Sequence, residues 1–169
     1  ILEYMTVARL IDYFVPSHYD LSLTLEGAER RFSGAVTVTG KLVEGADHIG
    51  LHAKDLSISS VLVDDTPATF SLGSDDELII TTTAQSGEHT ITVAFDGTIT
   101  DAMHGLYPCY YTHDDIKKEL FATQFESHHA REVFPCVDEP AAKATFGLTL
   151  STAPKQQVLS NMPIETQAE

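Results

Sequence analysis

Short runs in which apolar and polar residues alternate fill most of this chain, and they constrain its fold more than any other feature. In residues 19–25, Tyr19, Leu21, Leu23 and Leu25 are each separated by one polar or acidic residue. A period of two places the apolar side chains on one face of a β-strand, which is then buried while the other face is solvated. The same pattern predicts strands at 32–39, 48–52, 57–63, 68–72, 77–83, 90–95, 146–150 and 158–161.

Turn-forming residues separate these runs. Asp64 and Asp65 follow one predicted strand, and residues 73–76 (Gly-Ser-Asp-Asp) join two others. Glycine supplies backbone conformations with positive φ, and aspartate and serine hydrogen-bond to nearby backbone groups, so both favour turns. Short strands at this spacing indicate an all-β, mainly antiparallel fold, either a sandwich or a curved sheet. With 169 residues, enough for one well-filled domain, we expect residues 1–169 to form a single β domain.

A few segments depart from the alternating pattern. Residues 1–15 fit a helix or a strand equally well, and Pro16 is predicted to end this lead-in segment. Residues 113–119 are charged and are predicted to form a turn-like link to the stretch that follows. Short helical turns are predicted at 130–133 and at 138–144, the second capped by Asp138.

The charge of the chain excludes some classes of function. The formal net charge is −15 with only ten Lys and Arg residues, so no basic patch exists to neutralise nucleic-acid phosphates or an anionic membrane. No apolar run approaches the roughly 20 residues that span a bilayer. The first residues do not resemble a secretory signal, and Cys109 and Cys136 are too few for a disulfide scaffold. We therefore expect a cytoplasmic protein with reduced thiols, no nucleic-acid partner and no membrane segment.

The stretch 121–146 concentrates the unusual chemistry of the chain. Charged and aromatic residues are crowded together there, and Pro135 and Pro140 interrupt any long regular element. Such a segment is typical of a partly buried loop, whose backbone groups need side-chain partners. The polar candidates are Gln124, Glu126, His128, His129, Arg131, Glu132, Asp138, Glu139 and Lys143.

Each candidate also has a structural interpretation. Gln124 and Glu126 could satisfy backbone amides in a buried loop. His128 and His129 with Glu126 or Glu132 could hold a metal ion, but adjacent histidines rarely reach one ion without further ligands, so we favour simple loop polarity.

For the remaining candidates, structural roles are favoured over catalytic ones. We expect Arg131, Asp138, Glu139 and Lys143 to form an ion-pair and capping network that fixes the loop. Cys136 has no identifiable base beside it, so a buried structural thiol is favoured over a nucleophile.

Several motifs together resemble a known family. The motifs that carry the resemblance are TQFE at 123–126, Ala130-Arg131, FPCVDEP at 134–140 and the Lys-Ala-Thr-Phe that begins at Lys143. With these motifs the chain resembles the amino-terminal domain of the aminopeptidase N family, whose members are zinc metallo-aminopeptidases of the gluzincin type. Upstream, His18-Tyr-Asp-Leu and Gly105-Leu-Tyr are similar as well. The resemblance runs from about residue 16 to residue 161.

The resemblance implies a saddle-shaped β domain that covers one side of a thermolysin-like catalytic domain. In that family the zinc ligands lie in an H-E-x-x-H helix and a later glutamate of the catalytic domain. Neither H-E-x-x-H nor the companion G-A-M-E-N motif occurs in these 169 residues. We therefore expect zinc in the full-length enzyme, and no catalytic residue or metal ligand in this chain. The last strands of the domain and the catalytic domain would be absent from it, and the fragment alone would be inactive.

The resemblance also assigns two substrate-binding residues. Glu126 matches the carboxylate that helps to hold the α-amino group of a peptide, and Gln124 matches the amide that lines the first-residue pocket. Glu126 favours a plain aminopeptidase over the leukotriene-hydrolase branch. The implied partners are a peptide with a free amino terminus and the catalytic domain, against which Tyr107, Tyr110 and Tyr111 could pack.

Two points qualify the match. The family commonly reads TQFE-P-x-D-A-R, whereas this chain has Ser127, His128 and His129 before Ala130-Arg131, so that a histidine replaces an acidic residue. The alternative function is a non-catalytic binding or scaffold module that reuses the same β fold.

Overall fold

The computed structural model describes residues 9–168, which form an all-β domain and confirm the predicted fold class. The strands are β1 (Phe14–Glu26), β2 (Arg31–Leu42), β3 (His48–His52), β4 (Ser57–Val63), β5 (Thr66–Pro67), β6 (Phe70–Leu72), β7 (Glu77–Thr81), β8 (Gly87–Thr98), β9 (Gly105–His113), β10 (Ile116–Gln124) and β11 (Thr145–Ser151).

The largest sheet has six strands in the order β11-β1-β2-β8-β4-β5. All its neighbours are antiparallel except β11, which lies parallel to β1 at the edge. The alternation predicted from the sequence is visible in β2. Val36, Val38 and Leu42 are buried, whereas Thr37 and Lys41 are not. One face of this sheet therefore lies on the core.

A three-stranded sheet in the order β3-β7-β6 contributes to the same core. Ile49 and Leu51 from β3 and Leu78 and Ile80 from β7 are fully buried in one cluster with the apolar residues of β1, β2 and β8. Burial of apolar side chains from two sheets in one cluster is the arrangement of a sandwich.

The strands β9 and β10 form a two-stranded hairpin that is largely exposed. Asp114 and Asp115 make its turn, both with positive φ. The turn-like link predicted at 113–119 is therefore confirmed only at this turn, because His113 belongs to β9 and 116–119 belong to β10. Its first five residues are exposed on both faces, so no alternating apolar pattern marked the strand.

Other local predictions are also corrected. Pro16 does not end the lead-in segment but lies inside β1, next to a register shift between Pro16 and His18 that accommodates the missing N–H. No strand forms at 158–161, where Leu159 is 85% exposed and has no sheet neighbour among the described residues. Of the lead-in segment, residues 1–8 lie outside the described range.

Three short 3₁₀ turns interrupt the strands within residues 9–168, at Leu10–Asp12, Gly27–Glu29 and Ala130–Glu132. The last confirms the turn predicted at 130–133. The helical turn predicted at 138–144 is wrong, because the segment contains a non-helical turn, closed by hydrogen bonds from the Ala142 N–H to the Glu139 carbonyl and from the Lys143 N–H to the Ala141 carbonyl. None of the described helical turns is long and apolar enough to cross a membrane.

Close packing of Phe32 over Gly97 gives a first prediction about stability. The two residues are paired across β2 and β8, and a Cβ at position 97 would overlap the ring of Phe32, which is 2% exposed. Because the buried ring cannot move away freely, Gly97→Ala should lower the free energy of unfolding by about 1–3 kcal/mol. Urea denaturation measures the change, with Thr98→Ala at the neighbouring exposed position as control. An unchanged midpoint in Gly97→Ala would contradict the packing described.

The ion pair of His89 with Asp64 gives a pH-dependent prediction. The His89 Nδ1 lies 2.6 Å from the Asp64 carboxylate, and Nε2 lies 2.7 Å from the Gln85 carbonyl. Both nitrogens face acceptors, so the imidazolium is favoured and the pKa of His89 is raised, mainly by Asp64 and then by Gln85. This contribution to stability is present below about pH 6.5 and is lost as the pH rises through the raised pKa.

The comparison of wild type with His89→Gln tests this. The difference in their free energies of unfolding should shrink as the pH is raised from 6 to 9. A difference that stays constant over this range would contradict the prediction.

Candidate functional site

Gln124 and Glu126, the two predicted binding residues, lie where β10 ends. Both side chains are exposed, and the Gln124 Oε1 accepts a hydrogen bond of 3.0 Å from the Glu126 N–H. Within residues 9–168, the Glu126 carboxylate forms no hydrogen bond or ion pair. The alternative that these side chains satisfy backbone amides therefore holds for Gln124, although its loop is exposed at this point, and does not hold for Glu126. A charged oxygen pair is left free at the surface.

The loop that carries Glu126 is held from its apolar side. The His129 N–H donates to the Phe125 carbonyl at 3.0 Å, which closes the turn after β10. The half-buried ring of Phe125 meets Phe134 edge-on, with 6.0 Å between ring centroids. Phe125 thus faces inward, while its two neighbours in the chain face outward.

A nearly buried ion pair connects the two ends of the next segment. The Arg131 Nε donates to the Asp138 carboxylate at 3.1 Å, and the Arg131 N–H donates to the same oxygen at 3.3 Å. Arg131 also lies 3.5 Å from the Asp76 carboxylate. The prediction of a structural ion-pair network is confirmed for Arg131 and Asp138, whose side chains are only 12% and 13% exposed.

The structural roles predicted for Glu139 and Lys143 differ in how well they agree with the structure. The Glu139 carboxylate accepts hydrogen bonds from the N–H groups of Leu10 (2.6 Å) and Ile11 (3.3 Å), so it has a structural role as expected, but at the distant 3₁₀ turn Leu10–Asp12 and not within its own loop. Lys143 is exposed and does not join this network.

Residues 134–137 of the FPCVDEP segment are buried without forming a strand, and the backbone of the segment has hydrogen-bond partners in β1 and β3. Cys136 and His52 exchange two backbone hydrogen bonds of 2.7 and 3.0 Å. The Asp138 N–H donates to the His52 Nδ1 at 3.1 Å, and the Val137 N–H donates to the Tyr19 hydroxyl at 3.1 Å. The prediction that this loop needs side-chain partners is confirmed. The partners themselves were missed, because Tyr19 and His52 are far away in the sequence.

Burial also fixes the protonation of this segment. It raises the pKa of the Cys136 thiol well above its ordinary value, which agrees with a buried structural thiol and not with a nucleophile. Burial, with the nearby Arg131, lowers the pKa of His52. Since the His52 Nδ1 accepts a hydrogen bond, the neutral ring carries its proton on Nε2.

A second cluster of polar side chains surrounds Glu132. The Glu132 carboxylate lies 2.6 Å from the His104 Nδ1, 3.1 Å from the His129 Nδ1 and 3.1 Å from the Lys54 Nζ. Burial alone would raise the pKa of Glu132, but these hydrogen bonds lower it overall. Of the residues considered from the sequence, the structure brings His129 and Glu132 together and leaves Glu126 out. His104 and Lys54 were missed, since nothing in the linear sequence placed them beside residue 132.

Two cavities lie near the FPCVDEP segment, and neither is lined by Gln124 or Glu126. The larger, of about 460 Å³, is lined by Arg9, His52, Asp75, Glu77, Arg131, Glu139, Pro140 and Ala141. A second, of about 150 Å³, is lined by Tyr19, Phe146 and residues of the FPCVDEP segment. Gln124 and Glu126 therefore lie on open surface, so a ligand held there would need a second wall.

Comparison with known proteins places the chain among peptidase domains. Residues 15–169 match the family described as the peptidase M1 N-terminal domain. The chain is 47% identical over 161 residues to an aminopeptidase N of Lactococcus lactis subsp. lactis, covering 94% of this chain and 19% of that protein. It is 44% identical to an aminopeptidase N of Lactobacillus delbrueckii subsp. lactis, with the same coverage. An aminopeptidase M1 of Arabidopsis thaliana is 37% identical over 168 residues, 92% of this chain and 19% of that protein. The chain thus spans about a fifth of the length of these relatives.

The hydrogen bond from Val137 to Tyr19 gives a prediction about the scaffold of the site. Tyr19 is 2% exposed, so Tyr19→Phe would leave the Val137 N–H without a partner in a buried place. The free energy of unfolding should fall by about 1–3 kcal/mol. Tyr111→Phe, at a tyrosine that is 46% exposed, is the matched control and should leave stability unchanged. Equal stability of both variants in urea denaturation would show that the bond contributes nothing.

Proposed function

The chain belongs to the peptidase M1 N-terminal domain family, and from this premise we propose that it anchors the substrate of a zinc-dependent aminopeptidase. In the whole protein, Glu126 and Gln124 hold the α-ammonium group of a peptide, and the enzyme releases the first residue. The single observation that carries this proposal is the exposed Glu126 carboxylate, which has no partner among residues 9–168 and lies beside Gln124.

The chemistry of the two side chains suits a primary ammonium. A carboxylate is an acceptor with full negative charge, and hydrogen bonds between an ammonium and a carboxylate are among the strong ones. The Gln124 Oε1 accepts the Glu126 N–H, and its second lone pair leaves room for another donor. The net charge of −15 attracts cationic peptide termini toward the domain.

The position of this anchor explains why an aminopeptidase would need it. An enzyme that removes one residue must hold the amino terminus at a fixed distance from the first peptide carbonyl. Holding the terminus in place converts the reaction into an effectively intramolecular one, which lowers the entropic part of the barrier. Phe125, packed against Phe134, keeps the backbone of the anchor fixed while Glu126 faces the substrate.

The family implies a catalytic zinc ion whose ligands lie in an H-E-x-x-H helix and a later glutamate. The sequence contains no H-E-x-x-H. The one group of three metal-ligand side chains within residues 9–168 consists of His104, His129 and Glu132, and it includes neither predicted anchor residue. We therefore assign the catalytic zinc to ligands outside this chain. The fragment alone should release no amino acid.

A catalytic domain in the remainder of the whole protein would supply the second wall of the site. The β9–β10 hairpin offers it exposed apolar side chains, among them Tyr111, Ile116 and Leu120. Apolar surface of this kind is typical of an interaction face. A cytoplasmic location remains a prediction, supported by Cys109 and Cys136, which are both free thiols.

Replacement of Glu126 in the complete enzyme tests the proposal. Glu126→Ala and Glu126→Gln should lower kcat/KM on aminoacyl anilides by roughly 10- to 100-fold, because a hydrogen bond to a charged group contributes about 1.5–3 kcal/mol. Zinc content, measured by mass spectrometry, should stay normal in both variants, because Glu126 is not a metal ligand in this proposal. The exposed Glu29→Ala is the matched control.

Two results would count against the proposal. Unchanged kcat/KM in both variants at normal zinc content would remove the anchor role. No release of any amino acid by the wild-type complete protein, with or without added zinc, would favour the alternative of a non-catalytic scaffold.

A further inference from the structure

The group formed by His104, His129 and Glu132, named here the His–Glu cluster, is separate from the proposed anchor. His104 lies just before β9, while His129 and Glu132 lie three residues apart at the 3₁₀ turn Ala130–Glu132. The cluster thus joins two segments that are distant in the sequence. Imidazole and carboxylate are the ligand types that Zn²⁺ takes when it does not use cysteine.

The distances in the cluster are close to those of a metal shell. One ligand atom from each of the three residues lies within 4.8 Å of the other two. Zinc bonds to nitrogen and oxygen are about 2.0–2.2 Å, so two ligand atoms in a tetrahedral shell are roughly 3.3–3.5 Å apart. The His129 Nδ1 lies 3.1 Å from the Glu132 Oε1, and the His104 Nδ1 lies 2.6 Å from the Glu132 Oε2. The two histidines thus contact different oxygens of one carboxylate, and shifts of about 1 Å would bring both nitrogens and one or both of these oxygens to the spacing of a shell around one ion.

The side chains are held in place before any ion arrives. The rings of His104 and His129 stack with 4.0 Å between centroids, and His128 stacks on the other side at 4.7 Å. The Glu132 side chain is 11% exposed and that of His104 is 37% exposed. The cluster is therefore ordered, with one side open to solvent through which an ion and a water ligand can enter.

Lys54 is the competitor for this site. Its ammonium lies 3.1 Å from the same Glu132 oxygen that His129 contacts. In the metal-free protein, Lys54 and the two histidines satisfy the Glu132 carboxylate. A divalent ion must displace the ammonium and the ring protons, as metal binding to protonated ligands generally does.

From these contacts we propose that His104, His129 and Glu132 bind one Zn²⁺ ion, with water as the fourth ligand, at a site distinct from the catalytic zinc. Three protein ligands and one open position leave the ion exchangeable. The ion connects the start of β9 to the turn that follows Glu126, and so fixes the segment that carries the anchor. This inference departs from the expectation that the chain holds no metal, and it does not depend on the proposed function.

Zinc titration of the 169-residue chain tests the site, since the chain lacks H-E-x-x-H and the catalytic ion cannot contribute. Isothermal titration of chelator-treated protein with Zn²⁺ should give one equivalent bound. His104→Ala and His129→Asn should each weaken binding at least 10-fold, with circular dichroism as the check of folding. His113→Ala, at an exposed histidine outside the cluster, is the matched control and should bind as wild type does.

A fourth variant separates this site from adventitious binding. Lys54→Met removes the competing ammonium, so Zn²⁺ affinity should rise above that of wild type, whereas binding elsewhere would be unaffected. The proposal is overturned if His104→Ala and His129→Asn bind Zn²⁺ as tightly as wild type. It is equally overturned if Co²⁺, used as a spectroscopic substitute, gives the charge-transfer absorption of a thiolate ligand, which would place the ion at Cys109 or Cys136.

Discussion

A buried segment without regular secondary structure needs a partner for every backbone N–H and C=O group, and the rest of this site depends on how that need is met. The FPCVDEP segment carries Phe134, on which Phe125 packs, and Phe125 belongs to the loop that carries Glu126. Its backbone bonds to the Tyr19 hydroxyl from β1 and to the backbone and ring of His52 from β3. Both strands belong to the main core, so the loop takes its rigidity from the two sheets.

This division of tasks explains the character of each charged residue. Arg131, Asp138 and Glu139 are engaged with one another or with backbone groups, and they fix the scaffold. Glu126 has no such partner within residues 9–168, and it is the one placed at the surface beside Gln124. A charge that is already paired contributes structure, whereas a free charge on a fixed backbone can bind a ligand without first breaking an existing bond.

The sequence predicted those parts of the fold that rest on local patterns. The strand β4 was predicted with its observed bounds because Ile58, Val61 and Val63 interrupt polar residues in a run bounded by turns. The strand β10 was missed because Lys117 and Lys118 lie on an exposed hairpin. Its first residues do not pack on the core, so they show no alternation of apolar and polar residues. In the site, Glu126 and Gln124 came from a motif, while His52, His104 and Lys54 came only from the fold. Their contacts with the 131–138 region join residues 28 to 86 positions apart, a separation that no local pattern records.

The most direct measurement of the central claim is a crystal structure of the complete enzyme with a bound peptide analogue that cannot be hydrolysed. The account predicts that the α-ammonium of the analogue lies about 2.7–2.9 Å from a carboxylate oxygen of Glu126, the distance of a charge-assisted hydrogen bond. Gln124 should contact the same terminus. An analogue whose amino terminus is held by other carboxylates, with Glu126 facing solvent, would contradict it.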